Sequence, residues 1–197
     1  MNTTQLNELL VQSLEHETGG VLVYETALKC VMNGDLRAEW SKYLEETREH
    51  VRVLADVFAE LKLNADLETP GRQVVRHLSA SLVQAMEMAL TSAPPEAAQL
   101  VACECVVTAE TKDHLHWELI GKCADKLDGQ WRQKLMQAYL QIEDQEDEHV
   151  YHSKGWCREL WIESLGLQAI LPPPEEIKHV KTALAAAQVK QSAPASR

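Results

Sequence analysis

Apolar residues recur at intervals of three and four along most of the 197-residue chain, which is the spacing of helices that bury one face. No segment shows the strict alternation of a strand. Glycine and proline stand at the breaks, as in Asn33-Gly34-Asp35 and Asp128-Gly129. The pattern predicts an all-α fold with helices over residues 4–33, 35–62, 70–92, 95–127, 129–164 and 174–190.

Four of the predicted helices are long enough to form a bundle. The shorter amphipathic segment at 72–90 lies between the second and third long helices, where a crossover connection would let those two run in the same direction. Pro172-Pro173-Pro174 ends the last long helix. We therefore predict a four-helix bundle over residues 1–166, followed by a C-terminal helix and polar tail over 167–197.

Composition narrows the class of protein. Hydrophobic residues make up 45% of the chain and charged residues 25%, as in ordinary globular proteins, and the length suits one domain. The N-terminal residues lack both a basic patch and an apolar run, so we expect neither export nor a membrane anchor. Five cysteines without metal-finger spacing suit a reducing compartment, which favours the cytoplasm.

The net charge is −11, so the surface as a whole repels phosphate backbones and anionic lipid but attracts cations. We expect no nucleic-acid partner and no membrane partner. Metal ions are the class of ligand that the charge favours.

Acids and histidines fall on the apolar faces of the predicted helices when each helix is wound at about 100° per residue. Glu17 lies on the buried stripe of the first helix, whereas Glu15 points away. The second helix places Thr47 at the centre of its stripe, His50 on one flank and Glu46 at the periphery. The later helices direct two pairs inward: Glu110 with His114, and Glu146 with His149.

Buried carboxylates need compensation, because each costs several kcal/mol when it is ionised and unpaired. Bundles that bind two iron or manganese ions use one Glu from each of two helices and a Glu-x-x-His pair from each of the others. Glu17 and Glu110 fit the first role, and Glu146 with His149 fits the second. The second helix departs from the pattern at Thr47, so Glu46 or His114 would have to complete the ligand set.

Each residue also has a simpler interpretation. Residues 143–148 are almost all charged, as on a solvated helix face. A single buried histidine, such as His50 or His114, more often has a neighbouring hydrogen-bond partner than a metal. Their position on the apolar faces favours ligation for Glu146, His149 and His50, and leaves both interpretations open for His114.

Three motifs carry a resemblance to known proteins. Residues 44–54, with sequence LEETREHVRVL, resemble the second helix of YciF-type ferritin-like proteins, and the rubrerythrin and ferritin group is similar. Glu17 with Tyr24 resembles the Glu and Tyr pair of the first ferritin helix, and Glu143-x-x-Glu146-x-x-His149 resembles the fourth helix of that superfamily. The resemblance covers roughly residues 5–165. It implies a homodimeric or larger four-helix bundle that binds iron and is linked to stress responses, with Tyr24 as a catalytic residue.

The sequence therefore predicts a di-metal carboxylate protein, with two iron ions per chain or manganese in their place, that reacts with dioxygen or peroxide. The expected metal ligands are Glu17, Glu46, His50, Glu110, His114, Glu146 and His149. A metal-sequestering or purely structural dimer is one alternative. A di-iron hydroxylase of an organic substrate is another.

Overall fold

The computed structural model describes residues 1–173. It contains five α-helices and, within that range, no strand; the helices are α1 (Thr3–Cys30), α2 (Gly34–Glu60), α3 (Pro70–Ser92), α4 (Pro95–Asp125) and α5 (Gly129–Ser164). The prediction of an all-α fold is confirmed. The predicted helix at 174–190 lies outside the described residues.

Side-chain caps and local backbone conformations determine where the helices begin and end. Asn33 begins α2, because its side chain accepts hydrogen bonds from the backbone N–H groups of Asp35 and Leu36. α1 ends at Cys30, three residues earlier than predicted, since Val31 is extended. α2 ends two residues earlier than predicted, before Lys62 adopts a left-handed conformation with φ 54°. α3 and α5 have the predicted bounds.

The four long helices form a ring in which each contacts two neighbours. α1 contacts α2 and α4, and α5 likewise contacts α2 and α4. α3 follows α2 in the chain and packs on α1 and α4. None of the helices in the described part of the chain is both long and apolar enough to cross a membrane.

The interior of the ring has two apolar clusters. One contains Tyr24, Trp40 and Trp156, and the other contains Phe58 and Ile120. On each long helix the buried acids and histidines, apart from Glu159 of α5, fall between the residues of one cluster and those of the other. A polar layer therefore crosses the core at about the same level on all four helices.

The contact between α1 and α3 corrects one prediction. Glu15 was expected to face solvent, but it is buried against α3. Its carboxylate accepts hydrogen bonds from Arg72 at 2.6 Å and from Arg76 at 2.7 Å. Two arginines of α3 thus compensate this carboxylate, which the periodicity of α1 alone cannot reveal.

All five cysteines are free thiols.

Candidate metal centre

Five of the predicted ligands meet in the polar layer. They come from all four long helices and are almost completely buried: Glu17 of α1, His50 of α2, Glu110 of α4, and Glu146 and His149 of α5. The apolar clusters on either side exclude water from them. The structure thus brings together carboxylates and imidazoles that are up to 132 positions apart in sequence, from 17 to 149.

The first group of potential ligands contains Glu17, His50 and Glu146. Nδ1 of His50 lies 3.4 Å from Oε1 of Glu17 and 3.0 Å from Oε1 of Glu146. One nitrogen or oxygen atom from each residue lies within 4.8 Å of the other two. A single cation between them could contact all three side chains.

The second group contains Glu110, Glu146 and His149. Nδ1 of His149 lies 3.5 Å from Oε2 of Glu110 and 3.8 Å from Oε1 of Glu146. These potential ligand atoms also lie within 4.8 Å of one another. Because Glu146 belongs to both groups, its carboxylate is placed to bridge two ions.

Both histidine rings are fixed from the outer side. Nε2 of His50 lies 2.8 Å from the amide oxygen of Gln145, and Nε2 of His149 lies 3.0 Å from Oε2 of Glu46. Partners of this kind hold the proton on Nε2 and leave the other nitrogen free to bind a metal. The two rings are stacked, with centroids 5.6 Å apart. Each Nδ1 consequently faces the carboxylates.

Buried polar atoms without partners test whether a metal fits. Twelve such atoms have no hydrogen-bond partner among residues 1–173, and six of them lie together in the polar layer: Oε2 of Glu17, Nδ1 of His50, Oε2 of Glu110, both carboxylate oxygens of Glu146, and Nδ1 of His149. Buried polar groups are normally satisfied, so a cluster of exceptions calls for an explanation. All six belong to the two groups of potential ligands, and oxygen and imidazole nitrogen suit iron and manganese. The donor set therefore fits such ions.

The charges of the group are strongly coupled. Burial disfavours a charged imidazole, but Glu110 and Glu46 outweigh this effect and raise the pKa of His149 to about 9. Burial likewise opposes the charged form of His50, yet Glu17 and Glu146 raise its pKa well above the ordinary value. Burial raises the pKa of Glu146 to about 7, although His50 acts in the opposite direction. Without a metal, protons on these histidines compensate the acids.

Aromatic residues hold the carboxylates in place. The indole N–H of Trp117 donates a hydrogen bond to Oε1 of Glu17 at 2.6 Å. Tyr24 is fully buried, and its pKa is raised well above the ordinary value by burial first and then by the charge of Glu110. The Tyr24 hydroxyl therefore stays protonated. The ring of Tyr43 packs against His149 with centroids 4.2 Å apart.

Two predicted ligands lie outside both groups. Nε2 of His114 is 2.7 Å from Asp147, and the side chain is partly exposed at the edge between α4 and α5. Glu46 contacts the outer nitrogen of His149 and lies 3.7 Å from Nζ of Lys42. The hydroxyl of Thr47 donates to the backbone oxygen of Tyr43 at 2.9 Å. α2 therefore presents only His50 to the two groups.

Sequence reasoning missed three buried polar residues of this region. Asp113 lies on the buried face of α4, where His114 was expected, and His16 and His116 pack edge to face with ring centroids 5.6 Å apart. α4 contacts α1, α3 and α5, so its buried surface is broad and an average direction of its apolar residues is poorly defined. The position of Asp113, three residues after Glu110, was the signal that could have identified it.

Comparison with known proteins adds no relative. No family model, no curated protein and no solved structure matches this chain. The geometry of the site and the resemblance of its motifs are therefore what a functional proposal depends on.

Proposed function

We propose that this protein is a ferritin-like four-helix bundle that holds two metal ions, iron in the first place and manganese as the alternative, and that it reacts with dioxygen or peroxide. The observation that carries the proposal is the pair of ligand groups that share Glu146. Each group combines two carboxylates with one imidazole, which is the donor chemistry of di-iron and di-manganese bundles.

Each residue has a distinct role in this proposal. Glu17 and His50 would hold one ion, Glu110 and His149 would hold the other, and Glu146 would contact both. Glu46 and Gln145 act from outside, since they fix the Nε2 protons of the two histidines. Because His114 is bound to Asp147, it has no part in the ligand set that we propose.

The reduction of dioxygen or peroxide needs electrons, which two bound iron or manganese ions would supply. The protein would contribute a dry interior, because both apolar clusters shield the ligands from solvent.

Tyr24 is the proposed catalytic residue. Its hydroxyl stays protonated beside Glu110, where it can donate a hydrogen bond to a group close to the ions. Oxidation of iron and removal of peroxide would both protect a cell under stress.

The resemblance also implies a homodimer, and the cysteine content favours the cytoplasm; we include both in the proposal. A di-iron hydroxylase would use the same ligands, with an organic substrate in addition. The alternative of another class is a metal-sequestering or structural protein. The protonated histidines favour it, since they compensate the buried acids without metal.

Anaerobic titration with Fe(II), followed by the addition of oxygen, distinguishes a redox-active di-metal site from a metal-sequestering or structural protein. We expect two ions per chain and, after oxygen, the absorption band of an oxidised di-iron site. Glu146→Ala removes the bridging carboxylate and should abolish binding of both ions. Glu163→Ala, which removes an exposed carboxylate from the same helix, is the matched control. If wild-type protein binds one ion or none, the structural or sequestering alternative is correct.

A further inference from the structure

Asp113 lies on the side of α4 that carries Glu110 and Trp117. It lies three residues after Glu110 and four before Trp117, so these three side chains share one side of the helix. Glu110 belongs to one ligand group, and Trp117 donates a hydrogen bond to Glu17 of the other. α4 therefore carries Asp113 at the level of the candidate metal centre, between residues that contact each of its halves.

The carboxyl group of Asp113 is buried and incompletely paired. The residue is 4% exposed, and its Oδ1 has no hydrogen-bond partner within residues 1–173. Burial first, and then the charges of Glu17, Glu146 and Glu110, raise the pKa of Asp113 well above its ordinary value. Asp113 is thus a fourth buried acid beside the two ligand groups, although its carboxylate is not among the atoms that lie within 4.8 Å of one another in either group.

α2 is the helix that lacks a carboxylate ligand. Thr47 stands one turn before His50, where bundles of this type carry a Glu. Its hydroxyl is bonded to the backbone of Tyr43, and its methyl group packs close to Gly20. Thr47 consequently offers nothing to an ion, and the two ligand groups contain three carboxylates instead of four.

We propose that Asp113 is a fourth carboxylate ligand, which binds the ion held by Glu17 and His50 and replaces the acid that α2 lacks. This inference rests on the proposed function of the site. It changes the ligand pattern of the chain, because α4 supplies Glu110-x-x-Asp113 while α2 supplies only a histidine.

Anaerobic titration with Co(II), with the metal content of the gel-filtered protein measured, tests the assignment. Asp113→Asn keeps the size of the side chain and its ability to hydrogen-bond, but removes the negative charge. We expect two Co(II) per chain for wild type and one for Asp113→Asn, with affinity for the second weakened at least about tenfold. Asp125→Asn, at the exposed end of α4, should keep both ions.

The double variant Asp113→Asn/Thr47→Glu returns a carboxylate to α2. It should regain the second ion if Asp113 replaces the missing acid; a double variant that still holds one ion would contradict the replacement. Thermal unfolding without metal adds an independent readout. Asp113→Asn should unfold at the wild-type temperature or above, since it removes a carboxyl group whose ionisation is opposed by burial and by the neighbouring acids.

Two results would overturn the assignment. If Asp113→Asn binds two ions as tightly as wild type while Glu146→Ala binds none, the proposed function stands and Asp113 is no ligand. If Asp113→Asn without metal unfolds at a clearly lower temperature, or fails to fold, Asp113 has a structural role and the ligand assignment is wrong. Absence of any Co(II) binding by wild type would refute the proposed function itself.

Discussion

Oε2 of Glu46 lies 3.0 Å from Nε2 of His149, on the side of the ring that faces away from Glu110. Glu46 itself is not a member of either ligand group. The contact therefore assigns it an orienting role: it holds the proton on one nitrogen so that the other can bind an ion.

Removal of this contact should weaken metal binding without abolishing it. We expect Glu46→Ala to lower the affinity for Co(II) by about 10- to 100-fold, the range for lost outer partners of metal-bound histidines. Glu45→Ala removes the neighbouring, exposed carboxylate and should leave the affinity unchanged. Isothermal titration calorimetry of both variants provides the comparison. Complete loss of binding in Glu46→Ala would instead make Glu46 a direct ligand.

Metal binding should strengthen as the pH rises. His149 has a pKa of about 9 in the metal-free site, so at neutral pH an incoming ion must displace its proton. For each proton displaced, the affinity should rise roughly tenfold per pH unit below that pKa. Titrations at pH 6, 7 and 8, with proton release measured in parallel, check this expectation. Equal affinity over this range would contradict the involvement of His149.

The free energy of unfolding of the metal-free protein should decrease as the pH rises, whereas its affinity for metal increases. The folded pKa of His149, about 9, lies above the ordinary value of 6.5, so its favourable contribution is complete below pH 6.5 and disappears as the pH rises through 9. Glu146, with a pKa raised to about 7, also destabilises the fold once it ionises. We expect the free energy of unfolding to fall from pH 6.5 to 9, and His149→Gln to flatten this dependence. A flat wild-type curve would contradict the coupling.

The sequence predicts the bounds of the helices well because the residues that begin and end each helix are its neighbours in sequence. Thr69 before Pro70 begins α3 through a side-chain cap, and the predicted bounds of α3 agree with the structure. The faces of the helices are predictable only where one neighbour defines them. α1 and α4 each contact three helices, and each was predicted only in part: Glu17 was placed correctly, but Glu15 of α1 and Asp113 of α4 are buried against expectation.

The role of α3 was also beyond the reach of the sequence. Arg72 and Arg76 form their ion pairs with Glu15, which is 57 and 61 residues away in the chain. Nothing in the period of either helix indicates such a contact. The same holds for the close approach of Gly19 to Ser79, which brings α1 and α3 together.

That close approach yields a stability prediction. A Cβ atom at Gly19 would lie only 2.3 Å from Oγ of Ser79, so Gly19→Ala forces α3 outward or Ser79 into another rotamer. We expect a loss of about 1–3 kcal/mol in the free energy of unfolding. Gly34→Ala is the matched control, because a Cβ there meets nothing within 4 Å. Urea denaturation measures both; equal stability of the two variants would argue against tight α1–α3 packing.

The buried ion pairs of Glu15 give a second stability prediction. Glu15→Gln weakens three charge-assisted hydrogen bonds from Arg72 and Arg76 and should lower the free energy of unfolding by about 1.5–3 kcal/mol. Glu68→Gln weakens only the exposed pair with Arg76 and should cost less than about 1 kcal/mol. Equal effects in the two variants would show that Glu15 is not shielded from solvent.

The shared carboxylate of Glu146 is the centre of the account, and anomalous diffraction from crystals grown with Mn(II) tests it most directly. The account predicts two peaks about 3.5–4 Å apart, one beside Glu17 and His50 and the other beside Glu110 and His149, with Glu146 in contact with both. Loaded crystals with no peak in the polar layer, while Nδ1 of each histidine still faces the carboxylates, would contradict it.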